Sequence, residues 1–275
     1  MGSELINYGL SLPLDIWSAE SNISNPELVY KIHQENINSG ASYITTNTFR
    51  TTLRAYKKTG LSKEDSKLKS KESLNAAVKI AKDAAGNRAK VLGSIAPLED
   101  CYKPKLFPGK NVAIKEFKDI GKELARGDVD IIIMETMNSI IEIESCLLAL
   151  KNIKKPIWVG LNLLNSSSLQ SGESIKSAIE KIKMFDVDCL LLNCNSINRT
   201  VSALKYLSTE WNKKWGIYPN LGIGEPSPTG EINKLSSDKE FLETAKSAVS
   251  LGSSILGGCC GSNSRHIKLL QKEFL

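Results

Sequence analysis

At 275 residues, with 41% hydrophobic residues and a net charge of +6, the chain can bury the core of one large α/β domain. Its lysines and arginines are dispersed, which argues against a nucleic-acid arm, and no run of about 18 apolar residues argues for a membrane span. Met1-Gly2-Ser3-Glu4 lacks the basic-then-apolar order of a signal peptide, and six cysteines are too few for a disulfide scaffold, so a reducing cytoplasm is expected.

Leu5-Ile6-Asn7-Tyr8 reads as a short helix closing at Gly9. Asn25 and Pro26 then form an N-cap and first turn, opening a helix that runs to about Asn38 and ends at Gly40. The β-branched and aromatic stretch 41–49 reads as a strand, followed by a helix over about 63–85. The alternation then repeats. Strands are predicted at 91–95, 130–136, 156–162, 189–194, 215–220 and 253–257. The helices between and after them fall at about 114–126, up to 150, 174–183, up to 207, 239–251 and 266–272.

Several of these strands are continuous apolar runs, as in a parallel sheet buried on both faces. Strand–helix alternation without a linker predicts a single α/β domain over residues 1–275. Polar or reactive residues close most strands: Thr46 and Asn47, Glu135, Asn162, Cys194, Asn220, and Cys259-Cys260. A barrel gathers its active site at that face, so a (β/α)8 barrel of the TIM type is favoured over an open doubly wound sheet. Seven strands are counted, one short of a closed barrel.

The vicinal pair in Gly257-Gly258-Cys259-Cys260-Gly261 is the sharpest chemical signal. Adjacent Cα atoms lie about 3.8 Å apart, below the roughly 4.4 Å lower end of disulfide geometry. Two thiolates on one metal ion is therefore the better reading, and Cys194 supplies a third ligand from the same rim. Three protein ligands with an open position describe a catalytic Zn²⁺ site. Zinc ionises a bound thiol and the thiolate is the nucleophile, which suits a thiol substrate. Glu135, closing an Ile-Ile-Ile-Met strand, suits recognition of a substrate ammonium group. Cys101, Cys146 and Cys189 read as loop, helix-face and strand-core residues, and His33 and His266 as surface residues. Asp128 and Asp130 flank a strand start, the wrong end for catalysis. Gly222-Ile223-Gly224-Glu225-Pro226 resembles a phosphate loop only loosely, because no helix follows it.

The chain resembles the homocysteine S-methyltransferase family in Ile16-Trp17-Ser18-Ala19, Asn25-Pro26-Glu27-Leu28, Thr46-Asn47-Thr48-Phe49 and Met134-Glu135-Thr136-Met137. The likeness continues in Ser171-Gly172-Glu173-Ser174, Asn193-Cys194, Tyr218-Pro219-Asn220 and the Gly-Gly-Cys-Cys-Gly segment. The resemblance implies a zinc-dependent barrel that methylates homocysteine to methionine. It implies Cys194, Cys259 and Cys260 as zinc ligands and Glu135 as the group contacting the homocysteine amine. Trp17 would stand near the methyl-donor pocket, with Thr46 on the same rim. The donor would be S-methylmethionine, S-adenosylmethionine or betaine. Small molecules are the expected partners, without nucleic acid or membrane, and a homo-oligomer is left open.

Family members begin with a strand ending in an Asp-Gly-Gly or Asp-Gly-Ala turn, and this chain starts just after the matching point. The expectation is N-terminal truncation, with weakened stability and substrate binding. The alternative is a divergent zinc-binding barrel with lost or altered transfer activity.

Overall fold

Residues 1–223 and 230–275 are described by the computed structural model. A short helix α1 (Gly2–Asn7), a 3-10 turn (Trp17–Glu20) and α2 (Ser21–Ser24) lead into α3 (Pro26–Asn38). The first half of the alternation is β1 (Tyr43–Thr45), α4 (Leu53–Lys58), α5 (Lys63–Ala85), β2 (Lys90–Ile95), α6 (Lys110–Arg126), β3 (Ile131–Met137) and α7 (Ile140–Leu150). The second half is β4 (Ile157–Leu161), α8 (Ile175–Lys183), β5 (Cys189–Ser196), α9 (Ile197–Glu210), β6 (Lys214–Asn220), α10 (Asp238–Ser250), β7 (Ile255–Leu256) and α11 (Ser264–Phe274).

The seven strands form one parallel sheet in sequential order from β1 to β7. Strand and helix apolar faces bury the outer layer, where Ile132, Met134, Val159, Leu190 and Leu192 pack with Phe117, Ile143 and Ile179. The opposite faces of the same strands point inward, by the two-residue period of a strand. There Leu92, Ile131, Ile133, Trp158, Cys189 and Leu191 form a second core, with Tyr43 against the Trp158 ring at 5.0 Å. The next inward positions along these strands are Ser94, Glu135, Gly160, Asn193 and Tyr218, which carries the alternation up to the C-terminal rim.

The sheet curls far enough for the helices at its two ends to meet. α11 packs against α3, and Gly40 lies so close to Gln271 that a β-carbon there would overlap its amide. The strand ring is the part of the expected barrel that stays open. Among the described residues β1 and β7 are sheet edges, and no eighth strand pairs them.

Local chemistry accounts for the element ends. Ser62 caps α5 by accepting the Asp65 N–H, and Gly86 ends it at φ +49°. Ser237 and Glu240 close a capping box on α10. Pro26 opens α3 as predicted, but the Asn25 side chain makes no capping bond and instead accepts from Ser24 Oγ.

Three expectations are corrected. The strand predicted over 41–49 keeps only Tyr43–Thr45, because Asn47 is drawn into side-chain bonds with Ser18 and Asn22. The helix α4, capped by Thr52, was not anticipated. His33 and His266 are buried at 3% and 2% exposure, not on the surface. His33 shares the inner face of α3 with Val29 and Ile37, and burial lowers its pKa to about 3. His266 lies edge-on to Phe241 and bonds the Asn263 amide at the start of α11.

Candidate metal centre and substrate site

Two bulges shape the rim. β5 and β6 pair in step to Asn193 and Tyr218, then resume at Ser196 and Asn220, so β5 carries one extra residue. β3 does the same against β4 between Met134 and Met137. Each bulge holds a non-glycine residue in the left-handed region, Cys194 at φ +55° and Thr136 at φ +52°. That conformation costs about 1–2 kcal/mol per residue, so packing has to enforce it. Its effect is to re-aim the strand ends that carry Cys194 and Glu135.

Cys259 and Cys260 follow β7 on a loop fastened to the end of β6. The Cys259 N–H donates to Pro219 O (2.8 Å), and Leu221 N–H donates to Cys260 O (2.9 Å). Gly261 turns the chain at φ +77°, and its N–H reaches Ser3 Oγ in α1 at 3.1 Å. The positive φ at Gly261 favours glycine, and a β-carbon there would also have to displace the Leu235 methyl 2.5 Å away.

This framework brings the three predicted thiols together. Their sulfurs lie within 4.8 Å of one another, with Cys194 Sγ 3.6 Å and Cys259 Sγ 4.0 Å from Cys260 Sγ. Tetrahedral zinc with Zn–S bonds of about 2.3 Å requires sulfurs about 3.8 Å apart, so the trio fits the ion with little rearrangement. Hydrogen bonds from Cys194 and Cys259 pull the Cys260 thiol well below the ordinary cysteine range. The Cys259 thiol, bonded to Cys194 and Cys260, is pushed up. Tyr102, from the loop after β2, sets its hydroxyl 3.9 Å from Cys194 Sγ.

Across the mouth, Glu135 is held at both carboxylate oxygens. Ser94 Oγ donates to Oε2, and the Tyr218 hydroxyl donates to Oε1 at 3.2 Å. Burial raises the Glu135 pKa, and these two donors oppose that rise. Thr46 lies one step further back. Its hydroxyl accepts the Ser94 N–H at 3.0 Å and pairs with Thr48 Oγ1 at 2.8 Å, 3% exposed. Trp17, at φ +48°, sets its ring between Gly2 and Gly230, beside the helix whose Ser3 meets Gly261. A cavity of about 280 Å³ opens there, lined by Ser3, Ile6, Asn7, Gly230, Ile232 and Gly261.

Ser94, Tyr218 and Tyr102 were not anticipated. The first two share the inward parity of Glu135, Ser94 on the adjacent β2 and Tyr218 on β6 three strands away, and the parity is a signal available from the alternation. Asp128 and Asp130 do sit at the N-terminal end of a strand, where Asp128 pairs with Lys155 and Lys82 and Asp130 accepts the Val91 N–H. Within the loose phosphate-loop motif, Gly224, Glu225 and Pro226 lie outside the described residues.

A curled parallel sheet whose rim sets three thiols close enough to share one metal ion, with a half-buried carboxylate on the same rim, makes this a candidate metal centre. Comparisons with known proteins give it a family. The family model described as homocysteine S-methyltransferase matches residues 1–274. Homocysteine S-methyltransferase 1 of Brassica oleracea var. italica is 26% identical, covering 98% of this chain and 90% of its own length. A selenocysteine methyltransferase of Astragalus bisulcatus is 25% identical, covering 99% and 90%. The oxidized and metallated forms of the homocysteine methyltransferase MmuM from Escherichia coli superpose with TM-scores of 0.85 and 0.84 at 22% identity, each covering 99% of this chain and 93% of that one. The chain belongs to the homocysteine S-methyltransferase family and is a methyltransferase by class.

Proposed function

We propose that the chain transfers a methyl group from an onium donor to the sulfur of homocysteine, giving methionine, with zinc held by Cys194, Cys259 and Cys260. The observation that carries this reading is the three-sulfur cluster at the rim, spaced as a tetrahedral site requires. A zinc ion bound there would supply the charge that keeps a substrate thiol ionised near neutral pH.

The chain's own residues do the rest. Three cysteinates surround the substrate sulfur with negative charge, which keeps it electron-rich and suited to attack on carbon. Glu135, oriented by Ser94 and Tyr218, accepts hydrogen bonds from the homocysteine ammonium. Thr46 supports that carboxylate through Ser94. Trp17 walls the donor side, and Tyr102 covers the Cys194 sulfur. In the transfer, the homocysteine sulfur bonds to the donor's methyl carbon as that carbon leaves the onium centre. The electron pair of the broken bond stays on the donor, which departs one positive charge lower, and the thiol proton goes to solvent.

The test is a panel of S-methylmethionine, S-adenosylmethionine and betaine, each with homocysteine, scored by methionine formed. Selenocysteine belongs in the panel as a second acceptor, because a relative named for it matches about as well as those named for homocysteine. One onium donor is expected to support turnover that a chelator abolishes. Stoichiometric zinc with no turnover on any donor would leave the zinc-binding barrel without transfer, a reading that the family membership does not favour.

A further inference from the structure

The mouth has two walls, Glu135 on β3 and Cys194 on β5, and β4 runs between them. Tyr218 on β6 crosses that strand to donate to Glu135, and Asn193 on β5 crosses it to reach the β3 backbone. Asn193, fully buried beside Cys194, places Oδ1 2.8 Å from the backbone N–H of Thr136, the left-handed residue of the β3 bulge. The crossing is open only because β4 carries glycine at that point. A β-carbon on Gly160 would fall 2.3 Å from Asn193 Oδ1 and 3.2 Å from the Tyr218 hydroxyl that holds Glu135.

The amide orientation is set by chemistry, since a backbone N–H must face the oxygen. Asn193 Nδ2 is then buried with no hydrogen-bond partner among the described residues. A leucine of similar size would avoid that unpaired donor but would leave the buried Thr136 N–H without its acceptor, so the bond to Thr136 is what asparagine is needed for. What asparagine adds is an acceptor that links the two bulges.

We propose that Asn193, passing through the gap left by Gly160, is a positioning residue that holds the β3 and β5 bulges in fixed relation, and so sets the separation of Glu135 from the thiol cluster. This rests on the methyl-transfer reading, in which one substrate spans both walls. Its amine lies at Glu135 and its sulfur at the cysteines, so a shift of either wall misplaces the sulfur for attack.

The test is a double-mutant cycle on the zinc-loaded full chain with Asn193→Ala, Gly160→Ala and the double variant. The readouts are KM and kcat for homocysteine and the rate of zinc release to a chelator. Each single variant is expected to raise KM and to speed zinc release by about tenfold, the scale of a sub-ångström misplacement. The two changes remove the same contact, so Gly160→Ala should add less than about twofold once Asn193 is alanine.

Effects that multiply in the double variant would overturn the proposal. So would a folded single variant with a lowered Tm but KM and zinc release unchanged, which marks a purely structural residue. If Asn193→Ala does not fold, Gly160→Ala decides alone, and unaltered zinc release contradicts the strut. If the unmutated chain binds zinc but methylates nothing, the functional reading fails, while zinc release still tests the strut.

Discussion

The two walls of the mouth are built on opposite principles. At the β1–β3 end, Thr46, Ser94 and Glu135 form a relay that Tyr218 completes by reaching over from β6, so both Glu135 oxygens already have donors. On the β5–β7 side, the three sulfurs bond mainly to one another, with Tyr102 as a distant fourth partner. The acidic wall has both carboxylate oxygens paired within the protein, while the thiol wall offers three sulfurs close enough to share one cation. A pre-oriented carboxylate suits recognition of a substrate end that does not react. Crowded sulfurs suit a cation and the reacting atom.

Variants that break this contrast should differ in size and kind. Cys260→Ala removes a ligand outright and should have the largest effect. Loss of a supporting group in a metal site costs about 10–100-fold, so loss of a ligand should exceed that in zinc affinity and abolish turnover. Metal analysis after dialysis checks it. Glu135→Gln should keep zinc at full stoichiometry and raise KM for homocysteine by about 10- to 100-fold, since a charge-assisted hydrogen bond contributes about 1.5–3 kcal/mol. Equal losses of zinc in the two variants would erase the division between the walls.

Ser94→Ala tests the relay more finely. The ionised carboxylate is the form that binds ammonium, and Ser94 opposes the rise in its pKa caused by burial. Without that donor the pKa climbs further, so the acid limb of the kcat/KM–pH profile should move to higher pH while the plateau changes little. Thr46→Val should have the smallest catalytic effect. It strands the buried Ser94 N–H at a cost of about 1–3 kcal/mol, visible in a denaturant melt, with KM altered less than about threefold.

The strands were legible because they are continuous apolar runs with reactive residues at one end, and the count of seven agrees with the sheet. The cysteine trio was legible because a vicinal pair between glycines has few other uses. The supporting cast was not. Glu135 meets Ser94 on the adjacent strand 41 residues away, and it meets Tyr218 three strands over and 83 residues away, a second contact that the curl of the sheet creates. The positive φ at Cys194 and Thr136 left no trace, since neither position is glycine. His33 was misread although Val29 and Ile37 flank it at helical spacing, a stripe that points inward.

The central claim is that the thiol wall holds zinc through three sulfurs and receives the substrate through a fourth. X-ray absorption at the zinc edge of the loaded protein, with and without homocysteine, tests it directly. The account predicts three sulfur neighbours at about 2.3 Å in the resting protein and four once homocysteine is added. A sulfur count that does not change on adding homocysteine, in a protein that still makes methionine, would contradict it.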